Sequence, residues 1–357
     1  MIHDKINISV TGDLAPVKQT ANLFKENTEY YRTWFSELFA FADIVFCNLE
    51  TPITEKGTIR ENKKYIFRTD KSLLDVFPQK IIFSIANNHI LDFGHDGLLQ
   101  TIQNLNDKEI LFSGAGKNLE EAGKPVIIKQ NGKTIGFLAA ADSRYQAATE
   151  NTPGIYPAKS ELLIPNIEKL KKEADIIYVS IHMGMEYIPA PTPAMIELAG
   201  KCRRAGANVV FFHHAHCLSG YTLEANGAVL WGTGNFVFPK RKKFPFKAWF
   251  NAACWDFTHL IQSDEINLNI RPFQINENGI PETPDHRKSA QILKNIEKLN
   301  IAIHQGKHKV LIFKNIFKLS YIRVVLANYF DMVRRQGLKK MFQQVSSSVK
   351  VMFNKEN

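Results

Sequence analysis

Apolar residues fall along this chain in short runs that stop abruptly at residues able to bind a cation or to turn the backbone. INISVTGD closes on Asp13, ADIVFCNLE on Glu50, KIIFSIANNH on Asn88 and His89, DIIYVSIH on His182, NVVFFHHAH on His214 and His216, and AVLWGTGN on Asn235. Each run has the length and the β-branched or aromatic content of a buried strand. Helical periodicities lie between them. Residues 28–41 are amphipathic, with Thr28 as the expected N-cap. Residues 95–106 bring Leu98, Leu99, Ile102 and Leu105 to one face. Residues 160–173 open at Ser160, and residues 193–205 precede Gly206. This alternation predicts α/β architecture. Two segments read as hairpins instead, 125–142 around Asn131-Gly132 and 219–231 around Asn226-Gly227, so mixed sheets are expected. If the six runs lie parallel in one sheet, their carboxyl ends share the edge where open α/β sheets bind ligands.

After about residue 260 the pattern changes. Residues 263–286 are polar and hold Pro272, Pro281 and Pro284. Residues 287–302 fit a short amphipathic helix. Residues 309–345 fit one or two longer ones, with Ile322, Val325, Leu326, Tyr329, Met332 and Val333 on one side. Charge follows the same division. Residues 301–357 hold 11 Lys or Arg against Asp331 and Glu356 alone, so this segment carries most of the net charge of +10. Cys47, Cys202, Cys217 and Cys254 form no close pair, which argues against a disulfide framework or a zinc ribbon. Cys217 follows His216, where it reads as a small buried residue or as a neighbour of a bound ion. No run of about 18 uncharged apolar residues predicts a membrane span. With no basic and apolar lead-in before Ile6, a cytoplasmic chain is expected.

Taken as ligands, the run ends make chemical sense. Asp13 and Glu50 are carboxylates of the kind that bridges two cations, and Asn88 offers a neutral amide oxygen. On extended chain His89 points away from Asn88, which frees it as a general acid or a stabiliser of leaving-group charge. By the same alternation His214 and His216 share a face while His213 points elsewhere. His182 adds an imidazole from a separate strand. Other readings exist for each residue alone: Asp13 as a helix N-cap, Asn88 and Asn235 as turn residues, any one His as structural. Five ligand-type clusters at five strand ends are harder to assign to chance.

The order Gly12-Asp13, Asn48-Leu49-Glu50-Thr51-Pro52 and Asn87-Asn88-His89-Ile90-Leu91-Asp92-Phe93-Gly94 resembles the CapA family of capsule and poly-gamma-glutamate synthesis proteins, within the calcineurin-like metallophosphoesterase superfamily. Further similar stretches follow in the same order: Gly114-Ala115-Gly116 with Glu121-Ala122 and Lys124-Pro125, His182-Met183-Gly184-Met185-Glu186-Tyr187, His213-His214-Ala215-His216, and Gly234-Asn235-Phe236-Val237-Phe238. The resemblance covers roughly residues 6–260. It implies an α/β fold, a four-layer α/β/β/α sandwich with mixed sheets, here followed by a C-terminal helical extension. The corresponding division is 1–285 for the family domain and 286–357 for the basic extension. It implies one or two divalent ions (Mn, Fe or Zn) on Asp13, Glu50, Asn88, His182, His214 and His216. His89 would stand beside the substrate, with Asp92 orienting it; Asp92 also reads as a helix N-cap ahead of Gly94. Arg68, Glu186 and Asn235 are the expected substrate contacts. Departures are Ala15, where many superfamily members carry a His ligand, Glu50 in place of Asp, Phe212 and Ala215 in the His-rich motif, and Met183 in place of Trp.

The ligand set together with the resemblance implies a metal-dependent hydrolase of the CapA type acting in capsule or other anionic cell-surface polymer synthesis, with metal-bound hydroxide attacking a phosphoester or amide bond. The alternative is a non-catalytic assembly or export component that keeps the fold. The expected partners are an anionic polymer or phosphorylated substrate and other polymer-synthesis proteins. The loop residues Lys64, Tyr65 and Arg68 and the run Pro239-Lys240-Arg241-Lys242-Lys243-Phe244 are placed to meet substrate or to be solvated. The basic tail suits a membrane surface, at the inner face of the cell membrane, or a solvated face of the body. No nucleic-acid module is present.

Overall fold

The computed structural model describes residues 4–60, 63, 65–78, 80–239 and 247–336. Lys64, the run from Lys240 to Phe244, and the tail beyond Gln336 with Lys339 and Lys340 lie outside the described residues, as does what was expected of them.

The strand runs divide between two sheets. The first contains β1 (Lys5–Leu14), β2 (Ile44–Leu49), β3 (Ile81–Ser84), β4 (Leu111–Ser113), β13 (Asn235–Val237), β14 (Asn251–Leu260), β15 (Ile266–Ile275) and β16 (Pro281–Glu282), ordered β16-β15-β14-β1-β2-β3-β4 with β13 beside β1. The second contains β6 (Val126–Gln130), β7 (Lys133–Ala141), β9 (Ile176–His182), β10 (Val209–His213), β11 (Tyr221–Glu224) and β12 (Gly227–Leu230), ordered β11-β12-β10-β9-β7-β6. A two-stranded piece pairs β5 (Ala115–Gly116) with β8 (Gly154–Ile155). Strands β1 to β4 are mutually parallel, as are β7, β9, β10 and β12. The single shared sheet edge is therefore corrected to two edges. A run buried on both faces reads the same whichever sheet it joins. The β6–β7 hairpin, with left-handed Asn131 and Gly132 at its turn, belongs to the second sheet, which begins there.

Aromatic side chains fill the space between the sheets. Phe46 of the first sheet stacks on Phe137 of the second at 4.4 Å, and Tyr178 meets Phe46 and Phe257 at 4.9 and 5.8 Å. Each such buried ring contributes roughly 1.5–3 kcal/mol. The outer face of the second sheet is covered by α5 (Ser160–Leu170) and α6 (Pro193–Ala205), whose Leu163, Ile167 and Leu198 pack with Leu138, Val179 and Phe212. The first sheet is flanked by α1 (Gln19–Glu26), α2 (Thr28–Leu38) and α3 (Gly94–Asp107), and short α4 (Leu119–Ala122) lies beside β5. Phe35 of α2 packs on Phe77, and Phe39 just beyond it meets Phe236 of β13. The result is the α/β/β/α sandwich with mixed sheets.

Several local expectations are revised. The N-cap of α2 is Asn27, and the Thr28 hydroxyl instead donates to the Phe24 and Lys25 carbonyls, so α1 runs almost directly into α2. Lys159, not Ser160, caps α5. The second hairpin turns at Ala225-Asn226. Gly227 opens β12 beside the Arg203 guanidinium, which a Cβ there would approach to 2.1 Å. The largest miss is the long antiparallel pair β14–β15. Its second strand reads in the sequence as a polar stretch because it is half-exposed and holds Pro272. Strand β16 pairs only with Gln274 and Ile275, so β15 is an edge strand at that point, where proline is tolerated.

Beyond the sandwich, α7 (His286–His304) is capped by Asp285 and sends Ile292 and Ile296 into the main core. Then follow α8 (His308–Ile316) and α9 (Leu319–Gln336). On the predicted apolar side of α9, Val325 is half-buried and Ile322 and Leu326 are exposed.

Candidate metal centre

The run ends meet where the two sheets' carboxyl edges face each other. Asp13 lies near the end of β1, paired with Asn48 of β2 and Asn235 of β13. That pairing needs Gly12, whose Cβ would sit 2.1 Å from the Gly234 carbonyl oxygen. Glu50 follows β2 directly, its amide donating to Leu14 O at 2.8 Å. Asn88 and His89 stand in a turn after β3. Asn87 builds this turn, accepting from the amides of His89 and Ile90 and donating to Leu49 O. His182 ends β9 and His213 ends β10.

Fully buried Glu50 is the hub. Its Oε1 lies 3.8 Å from His182 Nε2, 3.8 Å from His216 Nε2 and 3.9 Å from His89 Nε2. Asn88 Oδ1 is 2.9 Å from His182 Nε2, and His214 Nδ1 is 3.2 Å from that same nitrogen. Asp13 reaches His213 Nδ1 with one oxygen at 3.0 Å and His216 Nδ1 with the other at 3.1 Å. Two sets of three donors have ligand atoms within 4.8 Å of one another: Asp13, Glu50 and His216, and Glu186, His214 and His216. His216 belongs to both.

These donors fit a divalent cation. Asp13 Oδ2 is buried and faces His216 Nδ1 at 3.1 Å, while both Glu50 oxygens are buried and accept no hydrogen bond. A desolvated carboxylate left so costs several kcal/mol. Burial drives the Glu50 carboxyl well above its usual range, with Asp13 and Glu186 pushing the same way and Lys63 opposing. Burial alone would also raise Asp13, but His213 and His216 outweigh it and hold it well below the carboxylate range. Burial keeps His182 well below the usual imidazole value, helped by His214. His89 falls to about 4, through burial and then Lys63, and His214 to about 4, chiefly through burial. Neutral imidazoles beside uncompensated carboxylates are the state in which a cation is bound.

His213 was expected to point away and does not. Strand β10 stops there, and His214 (φ 83°) and His216 (φ 54°) are left-handed, so extended-chain alternation does not govern the HHAH segment. His213 Nδ1 also meets Thr233 Oγ1 at 2.8 Å. Asp92 is not a helix cap, since Phe93 holds that position on α3. Its carboxylate lies 2.7 Å from His89 Nδ1 and accepts from the Phe67 amide and from Lys63 Nζ. Phe67 stacks on the His89 ring at 4.0 Å. Of the expected substrate contacts, Glu186 stands with His214 and His216 in a donor set. Arg68 is exposed, its guanidinium 4.7 Å above the Phe93 ring. Asn235 is fully buried, with its Oδ1 2.9 Å from His216 Nδ1 and its amide nitrogen donating to His216 O and Trp249 O. Ala15, at the place of the missing ligand His, is packed in the core.

Sequence reasoning overlooked the supports. Asn48 donates to Asp13 Oδ1 at 2.8 Å and lies 3.2 Å from His182 Nδ1. Lys63 donates to Asn88 O as well as to Asp92. Tyr145 places its hydroxyl 3.1 Å from His214 Nε2. The Asn48 and Asn87 positions stood inside recognised motifs; nothing in the local pattern marked Lys63 or Tyr145.

Comparison with known proteins agrees with this arrangement of motifs. The family described as bacterial capsule synthesis protein PGA_cap matches residues 7–240. The chain is 31% identical over 242 residues to the PGA biosynthesis protein CapA of Bacillus subtilis, covering 66% of this chain and 64% of that protein. It is 28% identical over 255 residues to the capsule biosynthesis protein CapA of Bacillus anthracis, covering 66% and 60%. The chain thus spans less than two thirds of the length of either relative. A probable polyglutamine synthesis accessory protein of Mycobacterium tuberculosis is 28% identical over 210 residues, with 55% of each chain covered. Among solved structures, a putative 5'-nucleotidase from Staphylococcus aureus has a TM-score of 0.48 at 14% identity, covering 82% of this chain and 58% of that one. With its motifs, in order, inside the matched segment, the chain belongs to the bacterial capsule synthesis protein family PGA_cap.

Proposed function

We propose that this protein is a metal-dependent hydrolase acting in the synthesis or processing of an anionic capsule-type polymer. The observation that carries this is Glu50, wholly buried with both oxygens unpaired and three imidazole Nε2 atoms 3.8–3.9 Å from one of them. Asp13, Glu50, Asn88, His182, His214, His216 and Glu186 would hold one or two divalent ions, Mn, Fe or Zn. Such ions supply Lewis acidity and a hydroxide at neutral pH, suited to a phosphoester or an amide. The remaining side chains hold and aim these groups. Asn48 and Asn235 fix the rings of His182 and His216. Asp92 and Phe67 fix His89, whose Nε2 then faces the cluster and can carry a proton to or from the leaving group. Relatives named for capsule and polyglutamine synthesis support a role in that pathway.

A second reading, an assembly or export component without turnover, draws on Ala15, which gives a core methyl where superfamily members place a ligand. Metal analysis of protein purified without chelator, with a generic phosphodiester assay on wild type and His89→Ala, separates the two. Bound metal with turnover lost in His89→Ala supports the hydrolase. Neither metal nor turnover overturns it.

For partners, we infer that α8 and α9 hold the protein against an anionic membrane surface, at the inner face of the cell membrane. From Lys298 to Phe330 there are five Lys and one Arg and no acid. Phe317 and Leu319 are 72% and 61% exposed, with Val310, Phe313 and Leu326 also in solvent. Such a mixture suits the interface of a bilayer. Among the described residues no helix is long and apolar enough to cross one. Ile312, on the buried side of α8, packs on Met185, Ile188 and Ala190, in the loop that carries Glu186.

A further inference from the structure

The loop after β7 carries Asp142, Arg144 and Tyr145 to the edge of the cluster. Ala141 of β7 pairs with His182 of β9, so Asp142 emerges beside His182 and its amide donates to His182 O at 3.1 Å. Asp142 is only 7% exposed. Its carboxylate accepts from the Arg144 amide at 3.0 Å, from Arg144 Nε at 2.8 Å and from Arg144 Nη2 at 2.6 Å. The guanidinium is therefore held in a fixed plane by a two-toothed pairing. Its side chain stays 40% exposed. The next residue, Tyr145, anchors the loop to the cluster, with its hydroxyl 3.1 Å from His214 Nε2 and its ring 6.1 Å from that of His182. One loop thus fixes a half-exposed guanidinium on Asp142, between residues that touch His182 and His214.

Charge explains what such a group can do. Asp13, Glu50, Asp92 and Glu186 surround the centre, so an anion approaching it meets four carboxylates. Lys63, on the side of the first sheet, is engaged with Asp92 and the Asn88 carbonyl. Arg144 stands on the side of the second sheet, held by Asp142 beside His182 and followed by Tyr145 beside His214. We propose that Arg144, positioned by Asp142 and Tyr145, is a subsite for a non-reacting oxyanion of the substrate, a phosphate or carboxylate group beside the scissile bond. This subsite presupposes the hydrolase reading and narrows its substrates to those with an anionic group flanking the bond that breaks.

The test measures anion binding to the full chain loaded with manganese, by calorimetry, with inorganic phosphate and glutarate as separate probes for the two oxyanion classes. Arg144→Gln should weaken the better-bound probe by about tenfold or more, the loss of one or two charge-assisted hydrogen bonds. Arg144→Lys, which keeps the charge beside Asp142 and guards against misfolding, should lose part of that affinity. Metal content should be unchanged in both. Among phosphodiesters, Arg144→Gln should raise KM more for one that carries a carboxylate beside the scissile ester than for bis-p-nitrophenyl phosphate, which carries none. A role confined to neutralising Asp142 would move neither the probe affinity nor this charge dependence. Wild-type affinity for both anions in Arg144→Gln, with metal and turnover intact, overturns the subsite and leaves the hydrolase standing. Failure of the wild type to bind either anion also overturns the subsite. Absence of both metal and turnover in the wild type would overturn the hydrolase reading itself.

Discussion

Replacing Glu50 by Gln should reverse the sign of its effect on stability according to whether metal is present. In chelated protein the Glu50 carboxylate is wholly buried, both oxygens lack hydrogen bonds, and Asp13 and Glu186 repel it. Gln keeps the shape but removes a carboxyl that folding must either bury charged or protonate, so it should stabilise the chelated protein by about 1–3 kcal/mol, the order of the linkage cost of a carboxyl driven above its unfolded value. With manganese at a hundred times its dissociation constant, the wild type should gain about 2.7 kcal/mol by mass action. Glu50→Gln, which loses a charged donor facing three imidazoles, should gain little. Urea denaturation of both proteins, in chelator and in manganese, reads all four values. The reasoning is refuted if Glu50→Gln destabilises the chelated protein, or if manganese stabilises both proteins equally.

Four further outcomes are expected. Asp92→Asn should leave metal content intact and lower phosphodiester turnover by about 10–100-fold, because it loosens the His89 ring held at 2.7 Å; unchanged turnover would remove Asp92 from the account. Gly12→Ala should destabilise the fold by about 3 kcal/mol, since its methyl meets the Gly234 carbonyl oxygen; a near-neutral change in urea midpoint would contradict the close approach. His259, buried on β14 with its Nε2 2.7 Å from the Tyr178 hydroxyl, has its pKa lowered by burial to about 4. A depressed imidazole contributes stability that is full above the unfolded value near 6.5 and is lost as pH falls toward 4, in total about 3 kcal/mol. His259→Gln should flatten that part of the stability–pH profile, and an unchanged slope would refute it. Finally, vesicles containing phosphatidylserine should sediment the wild-type chain in a salt-sensitive way, and Phe317→Ser with Leu319→Ser should release it; binding indifferent to both would dispose of the α8–α9 surface.

How far the chain announces this structure varies with the physics of each part. Runs such as DIIYVSIH and NVVFFHHAH declare strands because they are buried on both faces, and their terminal polar residues stand out against that background. The same double burial hides which sheet a strand joins, so Asp13 and His182 read as neighbours on one edge while they face each other across two. Hairpin β14–β15 was hard to see because an edge strand mixes exposed and buried positions and tolerates Pro272. At the centre, alternation along extended backbone misplaced His213, since left-handed His214 and His216 break it. Asn88 and Glu50 were legible as ligand types at strand ends. Lys63, Arg144 and Tyr145 were not, because they act across the fold from loops whose own sequence carries no periodic signal.

The central claim is that the two sheet edges converge on a cation. It is tested most directly by anomalous diffraction from crystals grown with manganese. The account predicts a peak bounded by Glu50, His216 and Asp13, or by Glu186, His214 and His216, and its loss in His216→Ala, which removes the donor common to both sets. A wild-type crystal with no anomalous peak within coordination distance of Glu50 or His216 would contradict it.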